Sequence, residues 1–406
     1  MPNPDFAPSG ARLREIAVAF LKIGATAYGG PAIMGIMQAE LQEKRQWVSK
    51  ERFVEGLSLV NMLPGAAATQ LGIFLGYARG GWLGGLVAGL CFVLPAFAIM
   101  LALTLAYTAY AATPAMKGAL YGLGPVVIGV FLVAVYRLAR SAAATIPQLM
   151  IGVAAAAAAA LGPLGIVPIL ALAGALGMLL FHSRRLGAIV LAAVLAVAAA
   201  SYLAPWSGPA FVPEVVAARA TQAPGLFDIG SFFLTVGAFS FGGGLTLIAF
   251  IQEHVVNQYQ WLTHREFIDG LALGQFTPGP ILMVSAYVGY KLAGTAGAAV
   301  AAVAIFAPAF VLMLTILPVF ERARQLLWAK AAIKGIGPAV IGVLAVSLFR
   351  MAPHALPDPL AVAIFVGTVA AMLAWRIGAI RLLVLGAILG VARDRLLSLP
   401  GVRAVL

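Results

Sequence analysis

The strongest constraint on this chain is that it is written twice. Residues 20–31 read FLKIGATAYGGP, and residues 233–244, 213 positions later, read FLTVGAFSFGGG. Gly24, Gly29 and Gly30 return as Gly237, Gly242 and Gly243, and Glu40 returns as Glu253. One inserted residue then moves the offset to 214 for Trp47/Trp261, Glu55/Asp269, Asn61/Gln275 and Pro64-Gly65/Pro278-Gly279. The offset of 213 resumes for Pro95-Ala96-Phe97/Pro308-Ala309-Phe310 and Arg137/Arg350. Chance does not hold a register over such a distance, so the chain is an internal duplication and its fold must be assembled from two related units.

Both units sit in an apolar medium. Of the 406 residues 62% are hydrophobic and only 10% charged, against about 25% in a soluble domain. Apolar runs long enough to cross a bilayer recur along the length without period-two alternation, which points to an all-α polytopic protein rather than a β-barrel. The surroundings are therefore membrane lipid. The net charge of +12 comes from small groups of basic residues between apolar runs, not from a patch interleaved with aromatics, so nucleic acid is not an expected partner. Cys91 is the only cysteine, and His182, His254, His264 and His354 lack metal spacing, so neither a disulfide within the chain nor a metal or other cofactor is expected. The first apolar run is too long for a cleaved leader and is expected to remain.

In order, six apolar segments precede a linker helix near 186–204 and a Pro-rich loop, and six follow. The expected units are 1–182, a linker 183–225, and 226–406. Ala154 to Ala160 is an alanine run, and Gly81, Gly85 and Gly89 lie at helical spacing; both suit close helix contact. The first two segments of each unit carry helix breakers at mid-length: Gly29-Gly30-Pro31, Pro64-Gly65, Gly242-Gly243-Gly244 and Pro278-Gly279-Pro280. Broken backbone inside a membrane is tolerated only where protein or water covers it, and matched breaks in two halves point to a transporter's central site; a simple kink is the alternative.

Charge helps to choose the topology. If the broken segments are re-entrant hairpins, Lys44, Arg45, Lys50 and Arg52 join Arg12, Arg14 and Arg79 on one face, which the positive-inside rule prefers over thirteen plain crossings, with the N-terminus cytoplasmic. In either arrangement the odd linker helix inverts the second unit relative to the first, a plan suited to alternating access. The expected fold is two inverted-topology repeats whose broken helices meet near the membrane midplane.

No Walker A sequence, HExxH or GxSxG occurs, so neither ATP nor enzyme catalysis has a foothold, and no catalytic residue is assigned. Half-helix N-termini at the breaks would present free N–H groups to a small anion. The candidate binding set is Lys22, Thr26, Gly29, Gly30, Asn61, Pro64, Gly65, Ser240, Gly242, Gly243, Gln275, Thr277, Pro278 and Gly279, with Thr69 and Gln70 beside it. A lysine within an apolar run, as Lys22 is, is a functional candidate by default, though it can also snorkel to the interface. Glu55 with Asp269, and Glu40 with Glu253, are matched carboxylates that could couple transport to protons; acid near a helix start is the bland alternative.

Together these residues resemble the chromate ion transporter family. The pattern is F-x-x-x-G-x-x-x-[FY]-G-G-[PG], then Trp with a charged stretch and Phe, then P-G-P, G-Y and L-P-A or A-P-A. It covers nearly the whole chain in both halves and is similar to the long, two-domain members. Tyr28 stands where Phe is usual, FGGG replaces FGGP in the second half, and Pro64-Gly65-Ala66 replaces P-G-P in the first. The resemblance implies an inner-membrane carrier that expels chromate, a tetrahedral dianion shaped like sulfate, driven by the proton gradient in antiport and conferring resistance. Three alternatives stay open: a carrier of sulfate or another oxyanion, a passive anion channel on the same scaffold, and a membrane-embedded enzyme or assembly factor. The oligomeric state is also open, a homodimer included.

Overall fold

The computed structural model describes residues 10–28, 31–61, 63–142, 145–162, 165–203, 224–240, 244, 246–319 and 327–398. Every regular element among them is helical. The first unit contains α1 (Gly10–Thr26), α2 (Pro31–Met37), α3 (Lys50–Val60), α4 (Ala67–Tyr110), α5 (Pro114–Ala142), α6 (Ile146–Leu161) and α7 (Ile166–Phe181). The linker helix is α8 (Arg184–Leu203). The second unit contains α9 (Leu226–Ala238), α10 (Thr246–Phe250), α11 (His264–Phe276), α12 (Val284–Ile316), α13 (Leu327–Ala355), α14 (Pro359–Ala374) and α15 (Ala379–Ser398).

The duplication is visible in backbone detail. Both α2 and α10 continue into a π-helical turn, Gln38–Lys44 and Ile251–Gln258. Both turns are followed by a glutamine in the left-handed region, Gln46 (φ 52°) and Gln260 (φ 53°). The long helices α4 and α12 are each doubled back at a two-residue kink: Gly80 and Gly81 (φ/ψ −142°/23° and 62°/−155°), and Ala293 and Gly294 (−146°/31° and 62°/−151°). Small residues beside each kink let the two arms touch. A Cβ on Gly76 would collide with the Gly84 carbonyl, and one on Gly289 with the Gly297 carbonyl. Each kink falls in the short gap the apolar pattern leaves near residues 79–81 and 292–294.

The broken segments fold back on themselves. Trp47, at the end of the arm following the first break, donates its indole N–H to Glu15 near the start of α1 at 2.9 Å. Glu15 also pairs with Arg79 at 3.0 Å. α3 packs against the first arm of α4 about the Pro64-Gly65 break, bringing Gly56 against Phe74. The second unit repeats this, with Gly270 against Tyr287.

The later helices exchange partners between units. α5 packs against α14 and α15, and α13 against α6 and α7. Glycines permit the close approach: Gly118 and Gly122 face Gly390 and Gly386, and Gly177 faces Gly335. The matched arginines cap the exchanged helices. Arg137 donates to the Met372 carbonyl near the end of α14 at 3.2 Å, and Arg350 to the Ala159 carbonyl near the end of α6 at 2.8 Å. The two units thus interlock rather than lie side by side.

Four described helical stretches are long and apolar enough to cross a bilayer: Ala67–Tyr110, Pro114–Arg140, Ile281–Ile316 and Lys330–Ala355. The chain is a multi-pass membrane protein.

Candidate functional site

The four breaks come together in two reciprocal pairs. The Gly65 N–H donates to the Ser240 carbonyl at 2.6 Å, and the Gly279 N–H donates to the Ala27 carbonyl at 2.8 Å. Ser240 is the repeat of Ala27, and Gly279 the repeat of Gly65, so each unit's Pro-Gly turn is hydrogen-bonded to the other unit's first break. Both turn glycines have positive φ, +121° at Gly65 and +89° at Gly279, where a side chain is strained. The space above each is also taken. A Cβ on Gly65 would lie 3.3 Å from the Ala309 Cβ, and one on Gly279 would lie 2.9 Å from the Ala96 Cβ. That explains the duplicated Pro-Ala-Phe motif: its alanine is the small residue lying on the partner unit's turn.

Helices α4 and α12 begin just beyond these turns, and each carries a buried hydroxyl on its first turn. Thr69 and Ser285 are both 0% exposed, and neither side-chain oxygen has a hydrogen-bond partner among the described residues. Gln70, also fully buried, donates from Nε2 to the Pro64 carbonyl at 2.7 Å while its Oε1 is unpartnered. A buried polar group without a partner costs about 1–3 kcal/mol, so a hydroxyl of this kind at the start of each long helix, though not at repeat-matched positions, marks a polar spot beside each turn. Thr69 and Gln70 were legible as polar groups beside a break; Ser285, whose matching residue is Gly72, carried no such signal.

The other candidates divide. Ser240 and Thr277 are buried at the crossing, and the Thr277 hydroxyl lies 3.0 Å from the Leu273 carbonyl and 3.3 Å from Met100 Sδ. Pro64 and Pro278 frame the turns, and Gln275 is half-buried beside the second. Lys22, Thr26 and Asn61 are exposed, on the outer side of the first unit, and the Thr26 hydroxyl donates back to the Lys22 carbonyl at 2.8 Å. Gly29, Gly30, Gly242 and Gly243 lie outside the described residues.

The matched carboxylates have unlike settings. Asp269 is 4% exposed, accepts from the Tyr107 hydroxyl at 3.1 Å and has Arg265 Nε at 3.4 Å. Tyr107 belongs to the first unit and stacks edge-on to Tyr287 with ring centroids 5.8 Å apart; sequence reading did not single it out. Glu55 is half-buried and pairs with Arg52 at 3.0 Å on its own helix. Glu40 bonds Arg45 and Lys44 of its own π turn, at 3.0 and 3.4 Å. Glu253 instead reaches Arg350 at 2.9 Å, tying its π turn to α13. Among the described residues no group of three or more His, Cys, Asp or Glu side chains could hold a metal.

Comparison with known proteins fits this geometry to a family. A family profile described as chromate transporter matches residues 14–180 and 227–391, one match per unit. The chain is 33% identical over 378 residues to a probable chromate transport protein of Synechococcus elongatus, covering 90% of this chain and 91% of that protein. It is 32% identical over 352 residues to a chromate transport protein of Cupriavidus metallidurans (85% and 84% covered). It is 30% identical over 369 residues to one of Pseudomonas aeruginosa (89% and 87%). No solved structure matches.

Proposed function

The chain belongs to the chromate transporter family, and from that premise we propose that it is a secondary transporter that exports chromate from the cytoplasm across the bacterial inner membrane, driven by the proton gradient and conferring chromate resistance. The observation that carries this reading is the reciprocal crossing of the breaks with an unpartnered buried hydroxyl on the first turn beyond each Pro-Gly turn. Thr69, Ser285 and the first-turn amides of α4 bind a tetrahedral oxyanion by its shape and charge.

In this reading the folded-back arms are re-entrant hairpins entering from one face, the second unit is inverted relative to the first, and the N-terminus is cytoplasmic. Support comes from Trp47 lying beside Glu15, which brings both ends of the first hairpin to one level, and from the basic residues that then collect on that side. Asp269 is the proton-coupling carboxylate. Its burial with one tyrosine hydroxyl and one guanidinium leaves room for a neutral form, whereas Glu55 is held by a local ion pair.

A site of backbone amides and hydroxyls discriminates poorly between dianions of one shape, so sulfate is the runner-up substrate. Everted membrane vesicles with and without the protein test both. Uptake of labelled chromate that collapses with an uncoupler is expected, with excess sulfate competing. Intact sulfate flux without chromate uptake would transfer the assignment to sulfate, and uptake indifferent to the uncoupler would replace the carrier by a channel.

A further inference from the structure

The two units differ most in what covers their hairpins. In the second unit α5 and α13 lie over α11, and α13 also lies over α10. In the first unit α3 packs substantially only against α4 and its own π turn, and α2 has no comparable cover. Matched positions make the difference plain. Val54 is 52% exposed and Ile268 0%; Ile36 is 38% exposed and Ala249 1%. Ser58 is exposed where Ala272 is buried, and Asn61 is exposed beside the crossing itself.

Lipid is a poor occupant for that open face. From Arg14, at the charged end of α1, to Lys22 is about 12 Å of helix rise, which puts the ammonium well inside a re-entrant hairpin. Lys22 makes no ion pair or hydrogen bond from its side chain among the described residues. A charge at that depth costs about 3 kcal/mol or more in hydrocarbon unless the side chain snorkels, and a water-filled face relieves that cost directly. On α3, Ser58 and Asn61 are exposed polar side chains leading to the second break, among exposed Val54 and, on α1, Val18 and Leu21.

Resting on the transport reading above, we propose that this structure is a state open to one side only: the outer face of the first unit is a water-filled vestibule that receives the oxyanion at Lys22, and α5 with α13 closes the matching face of the second. Because α13 is the repeat of α5, and α3 the repeat of α11, the contact that closes the second unit has a ready counterpart in the first. Exchange between the two contacts would close the Lys22 face and open the Asp269 face, delivering anion and proton sites to opposite sides in turn.

Cysteine labelling in membrane vesicles tests this, in a Cys91→Ala background that removes the only native thiol. Ser58→Cys and Ala272→Cys form one matched pair, and Val54→Cys with Ile268→Cys a second in case one variant does not fold. A charged methanethiosulfonate is expected to modify the first member of each pair at least tenfold faster than the second, and saturating chromate or sulfate to slow the first at least threefold. Reaction of Ser58→Cys with an apolar membrane-permeant maleimide alone would make the face lipid-exposed, and no reaction with either reagent would mean a second copy covers it. Either outcome, or equal rates within each pair, overturns the proposal. A rate contrast that neither oxyanion alters supports the one-sided opening and counts instead against the oxyanion as substrate.

Discussion

At the crossing the two units are nearly interchangeable; in the arms that lead to it they are not. The two Pro-Gly turns make the same reciprocal bond, carry positive-φ glycines and lie under the same alanine of the partner unit. A few turns away, Glu55 is half-exposed in a local ion pair while Asp269 is buried against a tyrosine from the opposite unit. Symmetry is kept where each unit completes the other's backbone hydrogen bonds, because a change on one side leaves a buried donor or acceptor unpaired on both. It lapses where each arm faces its own surroundings, and that is where the units can take different tasks.

The largest expected effect tests the equivalence of the turns. Gly65→Ala and Gly279→Ala each place a Cβ at a positive φ, a strain of about 1–3 kcal/mol, and against a close neighbour. Each is expected to lower vesicle transport more than tenfold, and the two by similar factors. Full activity in one with loss in the other would show that the crossing is asymmetric after all. Truncating the orphan hydroxyls is a gentler probe of the two helix starts, which carry them at unmatched positions. Thr69→Val and Ser285→Ala remove a buried unpartnered group, so stability is expected to hold or rise while the apparent KM for the anion rises severalfold in both. Unchanged KM in either would remove that hydroxyl from the site.

The carboxylates sharpen the other side of the comparison. Asp269→Asn keeps the shape and the Tyr107 contact but cannot exchange a proton, so transport is expected to lose its pH dependence, with a fall of tenfold or more in gradient-driven rate. Glu55→Gln breaks a partly exposed pair with Arg52, an interaction worth about 0.2–1 kcal/mol, and is expected to change the rate less than threefold. Equal losses would restore Glu55 to a coupling role.

Much of this was open to sequence reading, for a physical reason. Glycine and proline clustered inside apolar runs weaken a helix, so the interruptions at Pro64-Gly65 and Pro278-Gly279 follow from composition along the chain, and the offset of 213 or 214 fixes which matches which. Gly84-Gly85, helical within α4, shows that Gly-Gly alone does not force one. The candidate site was half legible. Gly65, Gly279, Ser240 and Thr277 were marked by nearness to a break and do meet at the crossing. Nearness to a break says nothing of which way a side chain faces, so Lys22, Thr26 and Asn61 were grouped with them although they lie outside the crossing. Tyr107 stood beyond reach because its importance comes from a contact 162 positions away, made only when α4 crosses to the other unit. The exchange of α5 and α13 between units is equally silent in sequence, since either unit offers the same glycine spacing to its own helices and to its neighbour's.

The smallest expected effect concerns how that exchange is held. Thr145 and Asp358 are matched N-caps of α6 and α14, but they are not equivalent. Thr145 forms a local capping box with Gln148, bonding within its own turn. Asp358 accepts from the Ala361 amide at 2.8 Å, from the Tyr121 hydroxyl of α5 at 2.5 Å and from Arg393 of α15 at 3.1 Å, so one carboxylate joins three helices from both units. Burial alone would push that carboxyl up; the Tyr121 hydroxyl, the Ala361 amide and Arg393 together hold it below the ordinary carboxylate range. A carboxylate depressed in the folded state stabilises above its unfolded pKa of about 3.9, and the contribution is lost as pH falls through the lower folded value. Thr145→Ala is expected to cost about 1 kcal/mol at any pH, whereas Asp358→Ala should cost about 2 kcal/mol at neutral pH and less below about pH 4. Thermal unfolding of the detergent-solubilised protein across that range measures both. Identical pH profiles for the two variants would mean that the cap alone matters and that Tyr121 and Arg393 contribute nothing to holding the exchanged helices.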